Sequence, residues 1–212
     1  SNKTLAYIVT GKQHLLYDWA KKKIEWIQNK ETTDVQSWNA QSLSTAYILN
    51  NNLFVSDKKG NKTQLTTDGS SDIVYGKAVH RDEFGIYKGL FWSNDGELLA
   101  FYRMDQSMVE TYPQVNVFTP IATLEPDKYP MAGRTSHKVT VGIYNASTGK
   151  TIYLAVGDPT NRYFTNIQWS PDNKILYLIE LNRKQTKMQL DAYDAATGKK
   201  IKTLYTEESN KY

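Results

Sequence analysis

The chain contains no cysteine, which excludes disulfides, thiolate metal centres and a cysteine nucleophile together. Histidine is almost as scarce: His14, His80 and His137 are the only three, and none forms the His-Glu-x-x-His pair that binds zinc. The Gly-x-Ser-x-Gly turn that exposes a hydrolase serine is absent, as are the glycine-rich loops that cradle phosphates or dinucleotides. No apolar run approaches the roughly 18 to 20 residues that cross a bilayer, and no leader peptide is legible. Charge of one sign is not concentrated either. The 26 Lys and Arg against 22 Asp and Glu leave +4, and the lysines are scattered as Lys21-Lys22-Lys23, Lys58-Lys59 and Lys199-Lys200 in hairpin-like turns, where they keep loops solvated. These absences exclude thiol chemistry and argue against a nucleic-acid partner, a membrane span, a metal, a cofactor and a catalytic residue in this stretch.

What is present is aromatic and repetitive. Fifteen Tyr and five Trp in 212 residues suit broad, partly solvated sheets better than a helical bundle. Two modules recur. One is a short strand ending in Asp or Asn, a polar turn and a second strand: Leu15-Leu16-Tyr17-Asp18 with Ile24 to Ile27, Leu53 to Asp57 with Thr63 to Leu65, Gly142 to Asn145 with Thr151 to Leu154, and Leu190 to Asp194 with Ile201 to Leu204. Thr148-Gly149-Lys150 and Thr197-Gly198-Lys199 supply glycine where such hairpins need positive φ. The other module is Trp, a small polar residue, a turn and an apolar strand, at Trp38, Trp92 and Trp169. Alternating the two gives four-stranded antiparallel units, the blades of a β-propeller.

The expected fold class is therefore all-β, a partial β-propeller of four-stranded antiparallel blades. Residues 1–212 read as a single partial propeller domain of about three to four blades, beginning with the last hairpin of one blade. The wider spacing from Trp92 to Trp169 predicts an insertion near 104–137, where Pro113, Pro120, Pro126 and Pro130 are expected to break any long strand. A second insertion is expected near 67–90. An open arc exposes its flanks, so self-association through open blade edges is expected. Ser1-Asn2 reads as an expression scar.

The 67–90 stretch holds Val79-His80-Arg81-Asp82-Glu83-Phe84-Gly85-Ile86, with Asp82 and Glu83 adjacent. Two readings of these residues are open. One is a solvated helical turn in which His80 and Arg81 pair locally with the acids. The other is an anion site for an ammonium or guanidinium group, since adjacent carboxylates repel unless a cation bridges them. Ser93 and Ser170 follow the repeat Trp and read as turn caps rather than nucleophiles. Arg103 and Asp105 are placed to pair across a strand end, and Tyr129, Tyr144 and Tyr163 read as blade packing. The sequons at Asn61 and Asn145 fall in hairpin turns and carry little weight.

Three runs in register, Asp82-Glu83-Phe84-Gly85, Phe91-Trp92-Ser93-Asn94-Asp95-Gly96 on to Asp105, and Tyr129-Pro130-Met131-Ala132-Gly133, resemble the N-terminal propeller of dipeptidyl peptidase IV and the prolyl tripeptidyl peptidases. The resemblance covers nearly the whole chain. It implies an eight-bladed parent propeller over a C-terminal α/β-hydrolase domain, absent from this chain, that holds the catalytic residues and releases short N-terminal peptides after proline. It also implies a periplasmic or secreted location. In that family, acids on a short helix hold the substrate's free amino terminus; Glu83, before Phe84-Gly85, matches that anchor, with Asp82 as its neighbour. The sequence departs from the Glu-Glu form, which leaves dipeptide and tripeptide release both open. Two rival readings are a protein–protein interaction propeller with no peptidase role and a secreted sugar-binding propeller. Only the peptidase reading accounts for the acidic insertion.

Overall fold

The computed structural model describes residues 4–33, 35–209 and 211; Ser1 and Asn2 lie outside them. Among the described residues the only helical segment is a 3-10 turn at His80–Asp82, and everything regular besides is antiparallel strand. Among the described residues no helix is long and apolar enough to cross a membrane.

Among the described residues, four sheets of three or more strands follow one another along the chain. The first holds β1 (Leu5–Val9), β2 (Gln13–Asp18) and β3 (Lys23–Asn29), one strand more than the expected hairpin. The second orders β4 (Gln36–Asn39), β5 (Ser44–Leu49), β6 (Asn52–Ser56) and β7 (Lys62–Gln64) from first strand to last. The third is built on β10 (Leu98–Asp105), which pairs on one side with both β8 (Ile73–Tyr75) and β9 (Leu90–Trp92). Its other side pairs with β13 (Lys138–Asn145), which is followed by β14 (Lys150–Tyr153). The fourth orders β15 (Arg162–Trp169), β16 (Ile175–Asn182), β17 (Lys187–Asp194) and β18 (Lys200–Glu208). These are the antiparallel blades of a partial β-propeller.

Strand β10 explains how the blades stack. Its side chains alternate between faces, the period of an extended chain. Leu99 and Phe101 join Ala46, Ile48, Leu53 and Val55 of the second blade. Ala100, Tyr102 and Met104 join Phe164, Ile167, Leu176 and Leu178 of the fourth. A strand buried on both faces needs apolar residues at successive positions, and Leu98-Leu99-Ala100-Phe101-Tyr102 supplies them. The repeat Trp residues stitch neighbouring blades. Trp92 donates its indole N–H to the Ser37 carbonyl in β4, and Trp169 donates to the Phe91 carbonyl in β9, each at 3.0 Å. The turns after these Trp residues stack as well: Asn39 Nδ2 donates to the Ser93 carbonyl and the Asn94 N–H to Asn173 Oδ1, both at 3.0 Å.

Two of the four prolines behave differently from expectation: Pro113 and Pro126 lie within strands, whereas Pro120 and Pro130 lie outside them. Between β10 and β13 a two-stranded hairpin projects, β11 (Thr111–Asn116) and β12 (Thr123–Lys128), with Pro113 directly opposite Pro126. Neither has an N–H to give, so the pair occupies a position where the ladder makes no cross-strand bonds and the strand survives.

Candidate functional site

The first strand of the third blade is interrupted. β8 pairs with Arg103–Asp105 and β9 with Leu99–Phe101, which leaves Tyr102 to hold both ends of the gap. Gly76 donates its N–H to the Tyr102 carbonyl at 2.9 Å, and the Tyr102 N–H donates to the Gly89 carbonyl at 3.0 Å. Residues 77–88 thus leave the sheet and return to it at one residue. Two glycines make this possible. Gly76 has φ +63, and a Cβ on Gly89 would lie 2.1 Å from the Lys77 carbonyl oxygen.

The excursion contains a left-handed turn. His80, Arg81 and Asp82 have φ of 53, 58 and 60, Phe84 has 56, and Glu83 between them is extended. The bonds Asp82 N–H to Val79 carbonyl (3.2 Å) and Glu83 N–H to His80 carbonyl (3.3 Å) close the turn. Left-handed backbone costs an L-residue roughly 1–2 kcal/mol, so it persists only where surrounding contacts compel it. Those contacts are specific. Val79, His80 and Ile86 are buried. The Phe164 N–H donates to His80 Nε2 at 3.3 Å, the Phe84 ring stacks on Tyr163 at 4.9 Å, and Thr165 Oγ1 donates to the Phe84 carbonyl at 2.9 Å. Arg81 pairs with Asp127 of β12, and its guanidinium lies 4.9 Å from the Tyr129 ring centre.

The local-pairing reading of this turn therefore fails for His80 and Arg81: the histidine is 4% exposed and the arginine reaches an acid far away in sequence. Burial, reinforced by neighbouring His137, pulls the His80 pKa down to about 3. His80 is neutral, with Nε2 accepting from Phe164 and the proton on Nδ1. Burial also lowers His137, helped by the charges of Arg81 and Arg183 and opposed by Asp127.

Asp82 and Glu83 are both exposed. Among the described residues neither carboxylate has a hydrogen-bond or ion-pair partner. Asp82 lines a cavity of about 470 Å3 between the excursion and β4, together with Gln36, Ser37, Lys77, Tyr87 and Lys88; Glu83 does not line it. Lys88 is drawn to the other side, its Nζ 5.1 Å from the Phe91 ring centre. A second cavity, about 270 Å3, lies there between Tyr87, Phe91, Tyr102 and Asn166. The excursion is a wall between two hollows, with Tyr87 on its crest, 80% exposed. A larger cleft of about 580 Å3 opens between the third and fourth blades at Leu98, Ile143, Ile152 and Ala195, and none of the residues of the excursion lines it.

The family model described as the dipeptidyl peptidase IV N-terminal region matches residues 9–212. The chain belongs to that family. A solved structure of a putative dipeptidyl aminopeptidase IV from Bacteroides ovatus superposes with a TM-score of 0.88 at 45% identity, covering 100% of this chain and 29% of that one. Porphyromonas gingivalis dipeptidyl peptidase 4 superposes with a TM-score of 0.76 over 99% of this chain and 31% of its own, and at 21% identity it supports the fold alone. A probable dipeptidyl-aminopeptidase B from Pyrenophora tritici-repentis is 31% identical over 189 residues, 79% of this chain and 21% of its own. The chain spans about a fifth of that curated relative and under a third of the two structures.

Within this dipeptidyl peptidase IV N-terminal region, other residues singled out in the sequence have structural roles. Ser93 and Ser170 are caps: each hydroxyl donates to the Asp two residues on, at 2.6 Å, and accepts the N–H of the next strand's first residue, at 2.9 and 3.0 Å. Arg103 does not pair with Asp105. It bonds the Tyr75 hydroxyl through Nε (3.0 Å) and Asp68 through Nη2 (3.2 Å), while Asp105 accepts from Ser107. Tyr144 packs in the blade core as read, whereas Tyr129 and Tyr163 serve the excursion. Among the described residues no group of three or more His, Asp or Glu is placed to hold a metal. His80, read in the sequence as a local charge partner, is instead a buried acceptor for Phe164, and Asp127 carries no signal in the sequence. A histidine beside two acids looks like a charge partner, and nothing local announces a contact with β12.

Proposed function

We propose that this chain is the substrate-gripping part of a serine exopeptidase of the dipeptidyl peptidase IV type, with Asp82 and Glu83 holding the free ammonium end of a peptide. On this reading the chain measures the substrate from its amino end and cleaves nothing. The nucleophile, aspartate and histidine that release a di- or tripeptide after proline belong to the α/β-hydrolase domain of the full-length protein. The observation that carries the reading is the pair of unpartnered carboxylates on a wall of the blade, one of them facing a cavity large enough for a peptide's first residue. A strained backbone held by Tyr163, Thr165 and a buried histidine keeps them there at a fixed position. Lys77 lines the same cavity, which favours a ligand carrying both a cation and a carbonyl or carboxylate oxygen over a simple amine.

An ammonium held by one carboxylate gains roughly 1.5–3 kcal/mol, equivalent to about 10- to 150-fold in binding. In the full-length protein, Asp82→Asn with Glu83→Gln should therefore lower kcat/KM for a Gly-Pro chromogenic substrate by at least tenfold. Activity within about twofold of wild type would rule the anchor out.

A further inference from the structure

Arg81 is the middle residue of the left-handed turn, and it is held from outside the excursion. Asp127 and Tyr129, at the end of β12, grip its guanidinium. Lys128 makes a separate attachment. Its Nζ donates to the Val109 carbonyl at 2.9 Å and lies 3.6 Å from Asp72. The base of the projecting hairpin is thus tied to the molecule at two places, and one of them is the turn that carries the acids.

We infer that hairpin β11–β12 sets the geometry and the charge of the acidic pair through Arg81, which makes Arg81, Asp127 and Tyr129 positioning residues for the substrate's amino end. The inference rests on the anchor role proposed for Asp82 and Glu83. His80 is fixed by burial and Phe84 by Tyr163 and Thr165, but Arg81 and Asp82 are exposed. The grip of Asp127 and Tyr129 on Arg81 is the side-chain restraint on that exposed half of the strained turn. A guanidinium next to two carboxylates would also pair with one of them if it were free. Asp127 diverts it, so Asp82 and Glu83 keep their charge for a ligand. The hairpin is a lever: displacing its base releases Arg81 toward the acids, where it competes with the ammonium of the substrate.

The test uses the full-length protein and a Gly-Pro chromogenic substrate, comparing Asp127→Asn, Lys128→Met, the acid variant Asp82→Asn/Glu83→Gln, and Asp127→Asn combined with it. Asp127→Asn should raise KM roughly tenfold with kcat within about threefold. Lys128→Met, which cuts the other attachment, should stay within about twofold on both constants. Adding Asp127→Asn to the acid variant should change KM less than about twofold, because the two act on one site. Melting temperatures report the fold, and if Asp127→Asn does not fold, Tyr129→Leu takes its place with the same expected KM-only change. Lys128→Met matching Asp127→Asn, full additivity, or an unchanged KM while the acid variant remains impaired would overturn the positioning role. An acid variant with wild-type kinetics would instead overturn the anchor reading beneath it.

Discussion

Gly89 sits where a side chain has no room. A Cβ there would meet the Lys77 carbonyl oxygen at 2.1 Å and the Gly76 carbonyl carbon at 2.5 Å, and backbone cannot swing aside as a side-chain tip would. Gly89→Ala should destabilise the protein by about 3 kcal/mol or more, through backbone displacement at the mouth of the excursion; a shift of the urea midpoint checks this. His80 offers a second prediction at this scale. Its folded pKa of about 3 lies below the ordinary 6.5, so the unfolded chain binds a proton the folded chain refuses. Stability is complete above pH 6.5 and is lost as pH falls toward 3, at up to about 1.4 kcal/mol per pH unit for this one group. His80→Gln should flatten the slope of unfolding free energy between pH 4.5 and 6.5 by a fraction of that amount, measured by denaturant titration at several pH values. The acidic pair was legible because two adjacent carboxylates with no repeat partner stand out in a repetitive chain. The buried histidine beside them was not, because its partners Phe164, Tyr163 and His137 come from distant parts of the chain.

At the scale of elements, the informative strand is β10. Its double-sided burial joins the second, third and fourth blades, and the buried Tyr102 hydroxyl donates to the Phe164 carbonyl at 2.9 Å. Removing that hydroxyl leaves a buried carbonyl unpaired, so Tyr102→Phe should cost about 1–3 kcal/mol. Leu176→Ala, on the fourth blade's side of the same core, should cost about 2–5 kcal/mol through the cavity it opens. Thermal unfolding would measure both. Most strands could be read from the Trp and hairpin modules, because alternation and turn chemistry are local. Three parts could not. β1 lacks a repeat marker, β8 is three residues long and too short for a period to show, and the proline-bearing hairpin β11–β12 looked broken because its registry, Pro113 against Pro126, is a property of the pair and of neither strand alone.

At the scale of the whole molecule, the strands of hairpin β11–β12 pair only with each other among the described residues. Val117, Phe118 and Ile121 at the hairpin tip are exposed, Phe118 by 96%, and the tip adds nothing to the blade cores. Phe118→Ser should leave the unfolding free energy within about 0.5 kcal/mol of wild type while improving solubility at high concentration, a pairing that denaturant titration and light scattering together test. By itself the sequence determined the fold class, the blade module and the candidate acids, since strand alternation, positive-φ turn residues and unpaired charge are written residue by residue. The tertiary structure decided that the first strand of the third blade splits, and that both ends of the split meet at Tyr102. It also decided that the excursion turns left-handed and that Arg81 looks to β12 rather than to its neighbours. Each of these depends on groups far apart in the chain arriving at one place, where burial and close contact outweigh the local preference of the backbone.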